Sequence, residues 1–207
     1  MIGLLIIATG GYTNFLQRLI KSTDKYFLKN KNVTYFIFTD KDLDINSDRN
    51  IVCTKIKQRG FPAITLERYH TFYNNKELFN ECEYLFYIDA DSLMLNEIGE
   101  EILSDRVSVL HSHHYKNKGT PETNIKSTAY IDINVEDYNY IVGAFNGGTK
   151  DEFLKLSKVI SDNVDIDKKN NIIALWNDES HLNRYFIDNK PTLVLDRNYM
   201  YSNDCLS

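Results

Sequence analysis

Residues 84–91 read Tyr-Leu-Phe-Tyr-Ile-Asp-Ala-Asp, an apolar and aromatic run that ends in two aspartates. Such a run is typical of a strand buried on both faces, as in a parallel sheet. Ile2–Ala8, which leads into Thr-Gly-Gly, and Val33–Phe38 are two further runs of the same kind. Between those two, apolar residues at helical spacing predict a helix with Thr13 as its candidate N-cap. These residues are Phe15, Leu16, Leu19, Ile20 and Phe27.

The alternation of strand-like and helix-like segments continues along the chain. Further strands are predicted at Ile51–Ile56, Val107–Leu110 and Tyr138–Phe145, the last followed by a turn at Asn146-Gly147-Gly148. Further helices are predicted at about Ala63–Asn80, along the face Phe153, Leu156, Ile160 and Val164, and from near Asp178 to near Asn189. This order favours an α/β fold with a largely parallel sheet covered on both faces, and we expect residues 1–207 to form one domain.

The composition excludes several classes of protein. The 207 residues are 43% hydrophobic and 26% charged, which is ordinary for a globular chain and unlike a disordered or collagenous one. The formal net charge of -5 and the absence of a long basic run disfavour nucleic-acid binding. Three cysteines without metal-ligand spacing predict neither a disulfide framework nor a zinc module. Since no apolar stretch approaches the roughly 20 residues that span a bilayer, we expect a soluble, cytoplasmic protein.

Asp89 and Asp91 directly follow the strand predicted at residues 84–88. Their carboxylates should therefore project from the carboxyl edge of the sheet, where α/β folds bind their ligands. Two such hard oxygen ligands can hold Mn²⁺ or Mg²⁺ against the phosphates of a nucleotide. The other two Asp-x-Asp motifs, at 42–44 and 165–167, lie in polar surroundings that favour solvated turns. A turn or capping role for Asp89 and Asp91 is the alternative at this point.

Residues 111–126 are polar and rich in turn formers, which predicts a functional loop. His111, His113 and His114 form the densest group of imidazoles in the chain. A zinc site is disfavoured because no third or fourth ligand follows at a recognisable spacing. A single histidine that hydrogen-bonds a polar substrate is the favoured interpretation.

Residues 176–183 read Trp-Asn-Asp-Glu-Ser-His-Leu-Asn and concentrate polar groups and an indole at a predicted helix start. Such groups suit a sugar, because the indole packs on pyranose C–H groups while the polar side chains pair with hydroxyls. The alternative is that Asp178 or Ser180 caps the helix and Glu179 merely occupies its first turn. No GxxxxGK[ST], GxGxxG or GxSxG motif is present, which removes the simplest signatures of NTPases, dehydrogenases and serine hydrolases.

The combined motifs resemble the retaining α-1,3-galactosyl- and N-acetylgalactosaminyltransferases of glycosyltransferase family six, which include the histo-blood-group A and B enzymes. The most specific block is WNDESHLNRYF at 176–186, followed by NKPT at 189–192. Supporting blocks are YFIFTD at 35–40, YIDAD at 87–91, STAYI at 127–131 and GAFNGG at 143–148. The resemblance covers most of the chain. It implies the A-type (GT-A) glycosyltransferase fold, a Rossmann-like single domain with a mixed, mostly parallel sheet flanked by helices.

The resemblance also implies a donor, which is UDP-galactose or UDP-N-acetylgalactosamine. Asp89 and Asp91 would hold Mn²⁺, or Mg²⁺, on its diphosphate. Tyr12 matches the position that packs on uracil, and Arg68 matches an arginine on the donor side. Ala144 lies where the family distinguishes donors, and its methyl group leaves less room for an N-acetyl group, which favours galactose.

The helix start would supply the reacting groups. Asp178 would bind hydroxyls of the donor sugar. Glu179 matches the catalytic carboxylate below the anomeric carbon, acting as a nucleophile or as a stabiliser of an oxocarbenium-like state. Transfer would be to the 3-hydroxyl of a β-galactoside such as lactose, with an α-1,3 linkage as product.

The implied acceptor-binding residues are His111, Trp176 and Asn177, with Tyr115 in place of the family's tyrosine. Asn177 replaces a family histidine, and residues 111–115, HSHHY, replace HPGFY, so acceptor choice is expected to differ from that of the family. Two other functions fit the same residues. One is a metal-dependent hydrolase of nucleotide sugars that uses the histidine cluster, and the other is a glycan-binding module without catalysis.

Overall fold

The computed structural model describes residues 1–114, 118–136 and 138–200, and a seven-stranded sheet forms its centre. The strands in chain order are β1 (Ile2–Ala8), β2 (Val33–Thr39), β3 (Asn50–Lys55), β4 (Tyr84–Ile88), β5 (Arg106–Val109), β6 (Phe145–Thr149) and β7 (Leu193–Leu195). Their order across the sheet is β3-β2-β1-β4-β6-β5-β7. β6 is antiparallel to both of its neighbours, and the other six strands share one direction. The predicted α/β fold with a mixed, mostly parallel sheet is confirmed.

Helices cover both faces of the sheet because the strands are apolar on both sides. The helices are α1 (Leu16–Tyr26), α2 (Ala63–Leu66), α3 (Arg68–Asn74), α4 (Lys150–Lys169) and α5 (Asn177–Asp188). In β1 the even-numbered Leu4 and Ile6 pack with Leu16 and Leu19 of α1. Leu5 points to the opposite face, in the cluster formed with α3, α4 and α5. Within the described ranges, no helix is long and apolar enough to cross a membrane.

The chain departs from the predicted helices at two points. Phe15, not Thr13, precedes the first turn of α1; the Thr13 hydroxyl instead donates to the carbonyl of Gly10 inside a 3-10 turn. The helix predicted at Ala63–Asn80 is broken into α2, α3 and a 3-10 turn at Lys76–Phe79. Asn75 lies at the second break, where its side chain donates to the Thr71 carbonyl and competes with the helical hydrogen bonds.

The predicted strand at Tyr138–Phe145 is wrong, as is the turn at residues 146–148. The strand begins at Phe145 and runs through the glycines to Thr149. Among residues 138–144, Ile141 forms only an isolated bridge to Leu110, and its backbone N–H and carbonyl bind the side chain of Asn183. The segment before β6 is therefore held by the Asn183 side chain and by separate backbone hydrogen bonds to Val109, His111 and Asp89, not by a continuous strand ladder.

Gly147 is required in β6 because its neighbours in β4 leave no room for a side chain. A methyl group at this position would lie 2.6 Å from the Leu85 carbonyl oxygen and would overlap the ring of Phe86. We expect Gly147→Ala to lower the free energy of unfolding by about 1–3 kcal/mol, the usual cost of overpacking. Denaturant titration measures this loss. Gly60→Ala is the matched control, since a methyl group at Gly60 meets nothing within 4 Å; equal stability of the two variants would contradict the packing argument.

Candidate active site

The shared direction of the six parallel strands brings several chain segments to one edge of the sheet. Asp89 follows the carboxyl end of β4, and Gly143 and Ala144 precede the amino end of the antiparallel β6. The backbone N–H of Asp89 donates to the Ala144 carbonyl at 2.9 Å, which joins the two segments. Since β1 is parallel to β4 and adjacent to it, the turn that carries Tyr12 also starts at this edge. Open α/β sheets bind their ligands in such a place.

Arg68, the first residue of α3, is buried at the centre of this edge. Its Nη1 donates to the Gly143 carbonyl at 2.9 Å and lies 3.2 Å from Asp178 Oδ2. Its Nη2 lies 3.2 Å from Asp89 Oδ1, and the guanidinium carbon is 4.3 Å from the centre of the Tyr87 ring. One guanidinium thus connects β4, the segment before β6 and the start of α5. Its planar set of donors suits several acceptors at once.

Asp178 is almost completely buried in the first turn of α5. Burial raises the pKa of this carboxyl to about 7, although the Arg68 guanidinium opposes the rise. Its Oδ2 lies within ion-pair distance of Arg68 but makes no hydrogen bond within the described residues. Asp178 does not cap the helix, whereas the Ser180 hydroxyl accepts from the backbone N–H of Trp176 at 3.0 Å. The Asp178 carboxylate therefore retains acceptor capacity for a polar ligand.

Both carboxylate oxygens of Glu179 are held by hydrogen-bond donors. The Tyr140 hydroxyl donates to Oε1 at 2.9 Å, and the Gly143 backbone N–H donates to Oε2 at 2.8 Å. Burial raises the pKa of Glu179, while these two hydrogen bonds and Arg68 oppose that rise. Glu179 is thus a partly buried carboxylate whose orientation is fixed and whose ionised form is favoured by its contacts.

Asp89 and Asp91 differ in their surroundings. Asp89 Oδ1 accepts from the Tyr87 hydroxyl and pairs with Arg68, while Asp91 lies exposed at the edge. Partial desolvation and the nearby Asp89 carboxylate raise the pKa of Asp91. A divalent cation between these hard oxygen donors would relieve their repulsion, so the donor set fits Mn²⁺ or Mg²⁺. The described residues contain no cluster of three or more His, Cys, Asp or Glu side chains arranged for a metal.

Tyr12 lies in the 3-10 turn that follows β1, with 55% of its surface exposed. Its ring centre is 5.9 Å from that of Phe15, which is also exposed. The turn is anchored by Gly10, whose N–H donates to Asp40 at the end of β2 and whose φ of 57° is readily adopted by glycine. An exposed aromatic ring on an anchored turn at the ligand edge can stack on a planar base.

The His111 ring packs against Tyr140, with ring centres 5.6 Å apart, and the backbone N–H of His111 donates to the Tyr140 carbonyl. Burial and the nearby His114 and His113 lower its pKa to about 4, so it is neutral at pH 7. The three imidazoles are close together, with ring centres of His111 and His114 4.8 Å apart. Tyr115 lies outside the described residues.

Trp176 and Asn177 lie at the start of α5, next to Asp178 and Glu179. Half of the Trp176 surface is exposed, and its indole Nε1 donates to the Thr120 hydroxyl at 2.6 Å. Asn177 has a positive φ of 50°, which asparagine tolerates better than most residues. The exposed indole is therefore fixed in orientation and presents an apolar face to solvent beside the two carboxylates.

Two residues of this site were missed by the sequence analysis as site residues. Tyr140 was assigned to a strand, yet its hydroxyl contacts Glu179. Asn183, in the second turn of α5, accepts from Tyr138 Oη and donates to the carbonyl of Glu179 at 2.9 Å. Asn183 lies four residues after Glu179, and this spacing predicts that the two side chains share one face of the helix.

Comparison with known proteins identifies the family of this chain. The family model described as Glycosyltransferase family 6 matches residues 1–206. The chain is 32% identical to globoside alpha-1,3-N-acetylgalactosaminyltransferase 1 of Gallus gallus, over 97% of this chain and 61% of that protein. It is 31% identical to histo-blood group ABO system transferase 2 of Rattus norvegicus, over 99% of this chain and 64% of that protein.

A bacterial relative is similar over more of its own length. The chain is 28% identical to the O-antigen biosynthesis glycosyltransferase WbnI of Escherichia coli, over 94% of this chain and 85% of that protein. By contrast, it spans about three fifths of the two vertebrate proteins. The match of the family model over nearly the whole chain, together with the sheet and its edge, shows that the chain belongs to glycosyltransferase family 6.

Proposed function

We propose that this chain is a catalytic domain, residues 1–207, that transfers galactose or N-acetylgalactosamine from a UDP-sugar to the 3-hydroxyl of a β-galactoside. The product has an α-1,3 linkage, and the anomeric configuration of the donor is retained. The observation that carries the proposal is the Glu179 carboxylate, held by two donors beside the Arg68, Asp89 and Asp178 network. The proposal also rests on the family, whose named relatives include N-acetylgalactosaminyl- and galactosyltransferases.

On the donor side, Tyr12 would stack on the uracil, and Asp89 and Asp91 would hold Mn²⁺ or Mg²⁺ at the diphosphate. When bound, the cation supplies positive charge that stabilises the leaving UDP. Arg68 holds Asp89 and Asp178 in fixed positions through one guanidinium. Asp178, held by Arg68 at the start of α5, would accept hydrogen bonds from the donor sugar. The methyl group of Ala144 favours galactose over the N-acetylated sugar.

At the reacting carbon, the bond from the anomeric carbon to the UDP oxygen breaks, a bond to the acceptor oxygen forms, and the acceptor hydroxyl gives its proton to the leaving diphosphate. Glu179 would act either as the nucleophile that first takes the glycosyl group or as the charge that stabilises an oxocarbenium-like state. Either role needs an ionised, oriented carboxylate, and the hydrogen bonds from Tyr140 and Gly143 favour both properties. His111, Trp176 and Asn177 would bind the acceptor, with the indole packing on the galactose ring.

The first experiment measures UDP release from UDP-galactose and UDP-N-acetylgalactosamine, with and without lactose. In Mn²⁺ we expect turnover that lactose stimulates, with the galactose donor preferred. In EDTA we expect turnover to fall at least about 100-fold, since a bound metal ion contributes several kcal/mol to charge stabilisation. Product linkage, read by NMR, tests the α-1,3 assignment.

A matched pair of variants assigns the metal site. Asp91→Asn should raise the Mn²⁺ concentration that gives half-maximal turnover, because it removes one of the two proposed ligand carboxylates. Asp44→Asn changes the corresponding residue of the Asp-x-Asp motif at 42–44 and should leave this concentration unchanged. Metal-independent turnover would remove the metal role from Asp89 and Asp91. Donor hydrolysis that depends on His113 and His114 and ignores lactose would favour the hydrolase.

A further inference from the structure

The Tyr140 hydroxyl connects Glu179 to a loop on the acceptor side. Tyr140 is 2% exposed, and its hydroxyl donates to Glu179 Oε1 at 2.9 Å. Gly119 packs directly over its ring, where a φ of 63° and the overlap of any added methyl group with Tyr140 both require glycine. The next residue in the chain, Thr120, therefore lies beside Tyr140. A contact with the Thr120 side chain lowers the Tyr140 pKa, although burial keeps that pKa well above its usual range.

Thr120 also contacts the proposed acceptor platform. The indole Nε1 of Trp176 donates to the Thr120 hydroxyl oxygen at 2.6 Å. An indole can only donate and an ionised carboxylate can only accept, which fixes the direction of the whole series. Trp176 donates to Thr120 and Tyr140 donates to Glu179, so a hydrogen bond between the two hydroxyls would run from Thr120 to Tyr140. Hydroxyls linked in one direction polarise each other and strengthen the terminal hydrogen bond.

We propose that Thr120 and Tyr140 are positioning residues that form a relay from the Trp176 indole to the Glu179 carboxylate. The inference rests on the proposed function, because it gives the relay a role in the transfer reaction. An acceptor that packs on the exposed indole would contact the first member of the relay. Glu179, its last member, is thereby held in one orientation while the acceptor is bound. The relay makes no covalent contribution to the transfer.

The first test reads the indole and needs no substrate. Trp176 is the only tryptophan in the chain, so the indole N–H resonance and the tryptophan emission report on it alone. Thr120→Val keeps the branched shape but removes the hydroxyl, and we expect the indole N–H resonance to move upfield as its hydrogen bond is lost. Thr120→Ser retains a hydroxyl and should keep the wild-type resonance. An indole resonance that does not respond to Thr120→Val would overturn the relay.

The second test compares kcat with KM. We expect Tyr140→Phe to lower kcat about tenfold, the effect of one lost hydrogen bond to a charged group, with the donor KM nearly unchanged. Thr120→Val should lower kcat by a smaller factor, and Thr120→Ser should restore it. Because both variants act through one series, the double variant should lose less than the product of the two single losses. Wild-type kcat in Tyr140→Phe would reject the positioning role.

Tyr185→Phe is the control for removing a buried phenol from the same part of the fold. The Tyr185 hydroxyl has no hydrogen-bond partner among the described residues, and its loss should leave kcat unchanged. Thermal melting of each variant separates a local effect from unfolding. If no UDP-sugar is turned over by the wild-type chain, the proposed function fails, while the indole measurement still decides whether Thr120 holds Trp176.

Discussion

Glu179→Gln is expected to lower kcat about 100- to 1,000-fold, the scale seen when one electrostatic contact to a transition state is removed. The amide is neutral, so it can neither form a glycosyl ester as a nucleophile nor stabilise positive charge at the anomeric carbon. Its carbonyl can still accept from the Gly143 N–H, and the Tyr140 hydroxyl can rotate to accept from the amide nitrogen. We therefore expect the folded structure and the donor KM to survive, with the loss confined to kcat.

The control for this variant is the same substitution at a carboxylate outside the site. Glu152, in the first turn of α4, pairs with Arg106 of β5 and with Lys155. Glu152→Gln should keep wild-type kcat in the UDP-release assay. Glu179→Gln with wild-type turnover would show that this carboxylate is not at the reacting carbon. Intact glycan binding without turnover in either protein would favour a glycan-binding module.

Arg68→Met is expected to lower the free energy of unfolding by about 3 kcal/mol, because removing one partner of a buried ion pair leaves an uncompensated charge. Asp178 loses its cationic partner while remaining buried, and Asp89 loses the second contact. The Gly143 carbonyl also loses the guanidinium donor. Denaturant titration measures the change. Arg68→Lys should recover only part of it, since an ammonium cannot reproduce the planar set of donors.

The loss in Arg68→Met should depend on pH in a defined direction. The pKa of Asp178 is raised from 3.8 to about 7 in the folded protein, so its contribution to stability falls as the pH rises from about 4 to about 7 and is constant above that. Without Arg68 this pKa rises further. The variant therefore loses additional free energy of unfolding only at pH values at which Asp178 is ionised in the wild-type protein. We expect the stability difference from wild type to be larger at pH 8 than at pH 5.5.

A double variant tests whether loss of the Arg68–Asp178 ion pair causes the lower stability of Arg68→Met. Asp178→Asn removes the charge that Arg68→Met leaves unpaired. The double variant should therefore be more stable than additivity of the two single changes predicts, by about 1–3 kcal/mol, as is usual for residues in contact. Strict additivity would show that Arg68 stabilises the fold through its packing on Tyr87 instead of through Asp178.

Apolar patterning was sufficient for the centre of the fold. β1, β2 and β4 were predicted to within one residue, because strands buried on both faces need uninterrupted apolar runs that few other structures use. Patterning failed where local preference and tertiary contacts disagree. Asn146-Gly147-Gly148 has the composition of a turn but forms β6, since the Phe86 ring and the Leu85 backbone occupy the space that side chains would need. The short β7 was not predicted, because three residues are too few to show a repeating pattern of apolar and polar side chains.

The motifs at 89–91 and 176–183 could be identified from the chain alone, since both follow recognisable element boundaries and carry residue types suited to cations and sugars. Their arrangement could not be. Arg68 contacts Gly143 across 75 positions, and Tyr140 contacts Glu179 across 39. Such pairs have no local spacing, because they form only when the carboxyl ends of parallel strands and the amino end of an antiparallel strand meet at one edge. The sequence therefore determined which groups are present, and the packing of α3 and α5 against that edge determined which carboxylates are buried, paired or held for reaction.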